Sequence, residues 1–399
     1  MTHASTVPAS AVGGPGDRDH ARPARGGRLP VPALAALGLF VAARVCGGLV
    51  LSVVSRSPVR GPLLLLGHSW DSVWYVRIAE RGYGLDQHSA GAIHNDLAFF
   101  PLYPALIRAL TLLTPLHGIT SALLVSWTAA AVAAVGIHTL GARLYGPAVG
   151  AVLVALWGLL PHSVVLSMAY TEPLMTAFAA WSLYAAVTRR WLWAGALATL
   201  AGLSRPNGFA VAAAVLAAAA QEVWRARGRG VSPRLWTGAA LAPVGWCGYV
   251  LWVGHRRGDP LGGYFTIQRL WGSRFDFGRG SLQFAKHMAR HDTRLVYVIA
   301  MLIVAAGTLL FGLLLADRAP LPLAVYSGLL LVVALGGSGF FESKPRFLLP
   351  AYPLLIPVAR ALVRTARARP WHATVVASAL AGLSFVYGAY LLVLARSPL

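Results

Sequence analysis

The stretch that decides the fold is residues 192–222, which read LWAGALATLAGLSRPNGFAVAAAVLAAAAQE. This apolar run is long for one membrane helix, which needs about 20 residues, and short for two. Its middle, Ser204-Arg205-Pro206-Asn207-Gly208, combines a proline with a glycine, which is typical of a helix-breaking turn. We therefore interpret the run as a hairpin of two short membrane helices.

The composition of the whole chain supports a membrane protein. Of 399 residues, 12% are charged and 57% are hydrophobic, with a mean hydropathy of +0.63. A soluble domain carries about 25% charged residues, so a water-soluble globule is excluded, as are a disordered chain and a disulfide scaffold. The two cysteines, Cys46 and Cys247, lie in apolar runs, where we expect small buried hydrophobic residues.

The charges are few and unequal, with 34 basic against 13 acidic residues and a net charge of +21. A basic chain can indicate nucleic acid. Here Arg-rich loops beside membrane helices explain the balance better, so the expected partners are membrane lipids and not nucleic acid.

We expect residues 1–30 to form a disordered, basic, cytoplasmic tail, followed by a single multi-spanning domain over residues 31–399. Residues 31–54 predict a signal-anchor helix, in which Arg44 either snorkels or faces a polar cavity. Further apolar runs lie at 119–141, 148–166, 173–188, 192–222, 235–254, 295–316, 320–337, 347–363 and 371–395.

The hairpin places the Arg-rich short loops on the cytoplasmic side, in agreement with the positive-inside rule. The prediction is an all-α polytopic membrane protein with about eleven membrane helices, or ten, with its N-terminus in the cytoplasm. The outer face then holds two long loops, 55–118 and 255–294, and the turns 167–172, 204–208 and 338–346. No loop is large enough for a separate catalytic domain, so any chemistry must occur at the membrane surface.

The first outer loop offers two candidate carboxylates. Asp71 lies among aromatic residues in Trp70-Asp71-Ser72-Val73-Trp74-Tyr75, a setting that suits a general base or, alternatively, a helix-capping Asp in an interfacial aromatic belt. Asp96 stands at the start of a predicted amphipathic or re-entrant helix over 97–113, where capping and catalysis are both open.

The outer turns supply the other candidate groups. Glu172 follows Thr171 at a helix start and either stabilises the helix dipole or contacts a substrate hydroxyl. Arg205 needs an anionic partner, which is a phosphate, Glu172 or Asp96. Lys344 and Arg346 form a second anion-binding point or a lipid-headgroup anchor.

The loop 255–294 is strongly basic. Its positive charges either contact an anionic lipid substrate or are simply solvated. Within it, Tyr264, Gln268 and Trp271 share one face if the segment is helical. His287 and His291 have the spacing of a zinc protease but lack its Glu, and we identify no metal site, P-loop or dinucleotide motif.

Five motifs together resemble the GPI mannosyltransferase II family and its bacterial relatives. They are Trp70-Asp71 with Trp74-Tyr75, Ala98-Phe99-Phe100-Pro101-Leu102-Tyr103-Pro104, Tyr170-Thr171-Glu172-Pro173, Ser204-Arg205-Pro206-Asn207-Gly208 and Pro345-Arg346-Phe347. The resemblance covers roughly residues 67–363. It implies the C-type glycosyltransferase (GT-C) fold, with an extracytoplasmic active site and a polyprenyl-phosphate sugar, usually mannose, as donor.

The resemblance also implies roles for particular residues. Asp71 would be the catalytic carboxylate of an inverting, α-mannosyl transfer that uses no metal or other cofactor. The candidate substrate-binding residues are Trp70, Trp74, Tyr75, Asp96, Glu172, Arg205, Asn207, Lys344 and Arg346. The Ala-, Gly- and Arg-rich composition is typical of a bacterium with GC-rich DNA, so we expect a bacterial cell membrane and a lipid-linked, glycolipid or glycan acceptor rather than a GPI intermediate.

Two other functions stay open at this point. A lipid flippase or transporter would need ionisable residues in mid-membrane, where the sequence offers mainly Arg44 and His138. A GT-C transferase of another lipid-linked sugar, such as arabinose or glucose, cannot be separated from a mannosyltransferase by residue types alone. The oligomeric state is not predicted.

Overall fold

The computed structural model describes residues 31–55, 61–89, 92–288, 290 and 294–395, and the predicted tail 1–30 lies outside this part of the chain. The first half of the chain contains the helices α1 Val31–Val54, α2 Pro62–Gly67, α3 Asp71–Arg81, α4 Leu102–Leu113, α5 Gly118–Tyr145, α6 Pro147–Gly158, α7 Glu172–Val187, α8 Trp191–Ser204 and α9 Phe209–Arg225. The second half contains α10 Pro233–Leu241, α11 Val244–Arg256, α12 Gly263–Leu270, α13 Arg279–Met288, α14 Leu295–Ala316, α15 Leu321–Gly336, α16 Lys344–Leu348, α17 Ile356–Ala368 and α18 Pro370–Tyr390.

Short irregular elements connect these helices. The turns of 3₁₀-helix are Asp96–Ala98, Ser163–Ser167, Pro206–Gly208, Phe341–Ser343 and Tyr352–Leu355, and a π-helical turn at Leu391–Ala395 ends the described chain. Two small antiparallel ribbons pair β1 Asp86–Ser89 with β2 Ala92–Asn95, and β3 Arg274–Phe275 with β4 Gly337–Ser338. The predicted all-α class is confirmed, since the ribbons lie in the loops.

The chain is an integral membrane protein. Five of its described helices are long and apolar enough to cross a bilayer, and a sixth span results if the segments Phe341–Leu348 and Tyr352–Ala368, bent by 76°, are counted together. The helices α4, α6, α8 and α15 are apolar but shorter. The number of about eleven membrane helices therefore stays a prediction.

The break inside residues 192–222 is present as predicted, because α8 ends at Ser204 and α9 begins at Phe209. Other runs are less regular than predicted. The run 235–254 is divided at Pro243 into α10 and α11, and 347–363 is divided around Pro350 and Pro353. Proline lacks the N–H that a helix interior requires, which explains both divisions.

Small residues allow the helices to approach closely. A Cβ atom at Gly195 of α8 would overlap the carbonyl oxygen of Gly238 in α10, and one at Gly245 of α11 would overlap that of Thr199 in α8. Both pairs lie along α8, so α8 is packed tightly against α10 and α11. This contact fixes the position of the chain where α8 ends, at Arg205.

The structure corrects one sequence prediction about the apolar runs and decides between two alternatives for another. Cys46 and Cys247 are exposed on α1 and α11 rather than buried, because the outer surface of a membrane helix meets lipid and can remain apolar. Arg44 turns into the protein, where its guanidinium donates to the carbonyl oxygens of Gly158 and Ser163 and, over 2.9 Å, to the Ser163 hydroxyl.

The segments predicted for the outer face meet at one end of the helix bundle, which we call the site end. The loop before α4 contacts α12, β3 pairs with β4, and the start of α7 contacts both the turn before α9 and α16. The ion pairs Arg189–Glu222 and Arg360–Asp317 belong to the loops predicted for the opposite side. The structure therefore gathers the candidate residues at the site end.

Candidate active site

Asp71 is the first residue of α3 and follows a strained residue. Trp70 has φ +49°, a backbone region that a bulky side chain seldom adopts. Such strain is found at functional sites that the surrounding structure over-determines. The Asp71 carboxylate is 26% exposed, and its Oδ2 lies 2.8 Å from Nη1 of Arg346.

Glu172 is the buried centre of the site. It begins α7, with Pro173 in the first turn, where proline is favoured because its missing N–H is not needed. The carboxylate is only 1% exposed and contacts both Nη1 of Arg205 and, at 3.0 Å, Nε of Arg346. A buried carboxylate remains charged only when it is paired in this way.

Arg205 lies in the break between α8 and α9, in an extended conformation that ends the α8 helix. Besides Glu172, its Nη1 donates over 3.4 Å to the hydroxyl of Thr171, which also shares a hydrogen bond of 3.2 Å with the Tyr75 hydroxyl. Of the partners considered from the sequence, the structure therefore provides Glu172 rather than Asp96.

Arg346 joins the two carboxylates. It belongs to the short helix α16, its side chain is 9% exposed, and its guanidinium lies 5.1 Å from the centroid of the Tyr170 ring. The planar fork of an arginine allows contacts to two anions at once. Asp71, Glu172, Arg205 and Arg346 thus form one network of two negative and two positive charges, which we call the four-residue network.

The helices that end at the network are short. At 1.5 Å per residue, α7, α8 and α9 are about 24, 21 and 26 Å long, against about 30 Å for the hydrocarbon core. Their far ends carry Arg189, Arg190 and Arg225, which are exposed and belong in the opposite interface. Glu172 and Arg205 lie at the near ends, so the network is at the opposite end of these helices from the exposed arginines.

Aromatic side chains form a wall beside Asp71. Trp74 stacks on Phe99 with the ring centroids 5.6 Å apart and meets Trp271 edge-on at 5.2 Å, while the Tyr75 ring meets Phe99 at 5.1 Å. Trp70 is partly exposed at the start of the same helix.

The predicted shared face of Tyr264, Gln268 and Trp271 is present on α12. It holds the second long loop against the first, because the Gln268 amide lies 3.4 Å from the carbonyl oxygen of Ala98 and the Trp271 indole donates over 2.9 Å to that of Asn95. Tyr264 packs edge-on against Phe100, with the ring centroids 5.7 Å apart.

Asp96 lies apart from the four-residue network. Its Oδ2 accepts hydrogen bonds of 2.9 Å from the backbone N–H groups of Gly84 and Leu85. Burial raises the pKa of the Asp96 carboxyl, while these two hydrogen bonds oppose the rise. The predicted helix 97–113 starts only at Leu102, so Asp96 does not cap it and instead fixes the turn before β1.

Lys344 is also used differently from the prediction. Its ammonium donates to the Ser281 hydroxyl at 2.6 Å and to the carbonyl oxygens of Ala334 and Gly337 at 2.7 and 2.8 Å. These three bonds use all of its donors, so the structure assigns Lys344 to holding α13 and β4 rather than to binding an anion. Asn207 is buried in the turn that follows Arg205.

Two contributors were not singled out as site residues from the sequence, namely Thr171 and Tyr170. Thr171 bridges Arg205 and Tyr75, and the Tyr170 ring supports Arg346. The sequence did point to both residues, because they stand immediately before Glu172 in Tyr170-Thr171-Glu172-Pro173. Within the described residues, no three His, Cys, Asp or Glu side chains are grouped as metal ligands require.

The fold is that of the C-type glycosyltransferases. ArnT from Cupriavidus metallidurans, solved bound to undecaprenyl phosphate, aligns with a TM-score of 0.52 and 17% identity over 82% of this chain and 60% of ArnT. The archaeal oligosaccharyltransferase AglB from Archaeoglobus fulgidus, solved with an inhibitory peptide and a dolichol-phosphate, aligns with a TM-score of 0.50 and 12% identity over 88% of this chain and 55% of AglB. The chain thus spans little more than half the length of these two proteins.

The sequence also matches a family model over part of the chain. Residues 50–227 match the family model described as Mannosyltransferase (PIG-V), which confirms the resemblance to the GPI mannosyltransferase II family over that range. The matched range includes Asp71, Glu172 and Arg205, whereas Arg346 lies beyond it. Among curated proteins, none matches the chain significantly.

Proposed function

We propose that this protein is a membrane mannosyltransferase that moves mannose from polyprenyl-phosphate mannose to a lipid-linked or glycolipid acceptor. The family match supports the sugar, and the undecaprenyl phosphate and dolichol-phosphate bound in the two aligned structures support the lipid carrier. The observation that carries the proposal is the four-residue network, in which the partly exposed Asp71 pairs with the buried Arg346, and Glu172 joins Arg346 to the buried Arg205.

In this proposal Asp71 acts as the general base. Its carboxylate accepts the proton of an acceptor hydroxyl while the hydroxyl oxygen forms a bond to the anomeric carbon of the sugar. The bond between that carbon and the phosphate oxygen breaks, and the polyprenyl phosphate leaves with the electron pair. Attack opposite to the leaving group inverts the centre, so a β-linked donor gives an α-mannoside.

The arginines neutralise the leaving group. The phosphate gains negative charge as its bond to the sugar breaks, so a cation in contact with it stabilises the transition state more than the bound donor. Arg346 is the cation closest to Asp71. Arg346 contacts Asp71 in the structure, so the bound phosphate competes with Asp71 for this guanidinium.

The remaining candidate residues have supporting roles. Trp70 is the aromatic side chain next to Asp71 and offers a surface for the sugar ring, while Trp74 and Tyr75 hold the wall behind it. Asp96, Asn207 and Lys344 keep the loops in place around the substrate. No metal takes part in the proposed reaction.

The proposed location is the extracytoplasmic face of a bacterial cell membrane, with the N-terminus in the cytoplasm. The exposed arginines of the opposite end support this orientation, because basic residues are retained in short cytoplasmic loops. They include Arg189, Arg190, Arg225, Arg227 and Arg229.

The test is transfer of labelled mannose from polyprenyl-phosphate mannose in membranes that contain the Asp71→Asn variant. Loss of the base lowers the transfer rate by about 100- to 10,000-fold. The matched control is Glu80→Gln, which removes an exposed carboxylate from the same helix, α3, and leaves the rate near that of the unchanged protein.

Three outcomes contradict parts of the proposal. Full activity of the Asp71→Asn variant removes Asp71 from the mechanism. If lipid-linked glucose or arabinose is a better donor than lipid-linked mannose, the transferred sugar is not mannose. Movement of the lipid across vesicles without any sugar transfer favours a flippase instead.

A further inference from the structure

A surface patch at the site end combines exposed aromatic and basic side chains. The β3 ribbon and the helix α13 follow each other in the chain, and Phe277 between them is 87% exposed. Leu282 on α13 is 58% exposed. We call the following exposed residues the basic–aromatic patch: Arg274, Phe275, Phe277, Arg279, Leu282 and Lys286.

The surrounding structure holds this patch in its exposed form. The Asp276 carboxylate accepts from the N–H groups of Gly278 at 3.0 Å and Gly280 at 2.8 Å, which fixes the turn. Phe277 has φ +58°, a left-handed conformation that is unfavourable for an aromatic residue. The Phe284 ring anchors α13 against Phe341, with the centroids 4.5 Å apart.

The patch lies beside the end of an apolar helix. Its strand β3 pairs with β4, which directly follows α15. The α15 helix is about 24 Å long, which is slightly less than the thickness of the hydrocarbon core. The exposed rings therefore lie beside the end of an apolar helix whose length is close to that of a membrane span.

The charge of the patch is positive and unneutralised. Asp276 is engaged by backbone N–H groups. Among the described residues, none of the ion pairs includes Arg274, Arg279 or Lys286. Cations beside exposed apolar residues are typical of segments that lie in the interface of an anionic bilayer.

We propose that the basic–aromatic patch binds anionic phospholipids of the leaflet at the site end. Phe277 and Leu282 enter the acyl region, and Arg274, Arg279 and Lys286 contact the headgroup phosphates. The patch is connected to the active site, because Ser281 of α13 accepts a hydrogen bond from Lys344, two residues before Arg346. This binding is independent of the proposed transfer reaction.

The first experiment measures the depth of Phe277. A nitroxide is attached to a Phe277→Cys variant in a background with Cys46→Ser and Cys247→Ser, reconstituted into nanodiscs of phosphatidylcholine and phosphatidylglycerol. The expected result is greater collision of the nitroxide with oxygen than with a water-soluble nickel chelate. The control is Arg229→Cys, an exposed loop position at the opposite end, where nickel collisions dominate. Nickel-dominated collisions at 277 overturn the insertion.

The second experiment measures the headgroup preference with spin-labelled phosphatidylglycerol and phosphatidylcholine. The expected result is a preference of several-fold for phosphatidylglycerol, which falls to about one when the patch cations are removed in the triple variant Arg274→Gln, Arg279→Gln and Lys286→Gln. A control variant with the same loss of charge elsewhere in the loop keeps the preference: Arg256→Gln, Arg257→Gln and Arg269→Gln.

Each result decides the proposal. An equal loss in both triple variants shows that net charge alone attracts the lipid, which overturns a specific site. Absence of any preference in the unchanged protein overturns it as well. Neither measurement uses sugar transfer, so a failure here leaves the proposed function untouched, and a failure of the transferase assay leaves this proposal standing.

Discussion

At the scale of single residues, Glu172 is the side chain that connects the members of the site. Its carboxylate is the only group that contacts both Arg205 and Arg346 among the ion pairs of the described chain. Removing one partner of a buried ion pair leaves an uncompensated charge, which is far more harmful than losing an exposed pair.

This contrast gives a stability prediction. Glu172→Gln lowers the free energy of unfolding by about 3–5 kcal/mol, whereas Glu222→Gln, which breaks the exposed pair with Arg189, lowers it by at most about 1 kcal/mol. Thermal unfolding of both variants in the same detergent measures the difference. Similar destabilisation by the two variants contradicts the central role of Glu172.

The geometry of Arg346 gives a second prediction. Arg346→Lys keeps the positive charge but replaces a planar fork by a point charge, which cannot contact Asp71 and Glu172 together. We expect the transfer rate to fall by about 100-fold, as when one transition-state donor is removed. Steady-state assays compare this variant with Arg360→Lys. Arg360 pairs with Asp317 far from the site, so we expect this substitution to leave the transfer rate unchanged. An unchanged rate for Arg346→Lys removes Arg346 from the reaction.

The sequence was sufficient to identify the members of the network but not their contacts. Asp71 and Arg346 are far apart in the chain, and their contact depends on how the helices between them pack. The sequence also does not reveal the contacts of Lys344 and Arg346, although these two residues are close in the chain. Residues two apart on a helix point about 200° from each other, so only one of them faces Glu172, and charge alone does not tell which.

At the scale of elements, the packing of α8 determines where Arg205 lies. Gly195→Ala would force the α8 helix away from Gly238 of α10, at an expected loss of about 1–3 kcal/mol together with reduced transfer. Gly382→Ala on α18 is the control, since an added Cβ there meets nothing within 4 Å. Thermal unfolding and transfer assays of both variants provide the check, and equal behaviour would show that the close contact is unimportant.

The apolar runs predicted the positions of these elements well, but their interruptions less well. The turn at Pro206 was identified because a glycine and an arginine accompany the proline within a long run. Pro243, Pro350 and Pro353 stand in runs of ordinary length, so each appeared compatible with one span. The length of a run therefore decided which prolines were recognised as breaks.

At the scale of the whole molecule, the two ends of the bundle must lie on opposite sides of the membrane. We expect a membrane-impermeant maleimide added to intact cells to modify a Lys286→Cys variant and to leave an Arg229→Cys variant unmodified, both in a background without Cys46 and Cys247. The positive-inside rule sets this direction. Modification of the Arg229→Cys variant alone would reverse the proposed orientation, and permeabilised cells serve as the control for reactivity.

The short helices that end at Glu172 and Arg205 also relate this protein to the thickness of its bilayer. A span shorter than the hydrocarbon core is accommodated by thinning of the surrounding lipid, and each ångström of mismatch costs a fraction of a kcal/mol. We expect such thinning around α7 and α8, which are shorter than the hydrocarbon core. In the proposed reaction the lipid-linked sugar reaches the site through this thinner region, so longer acyl chains in the bilayer increase the mismatch and shorter ones reduce it.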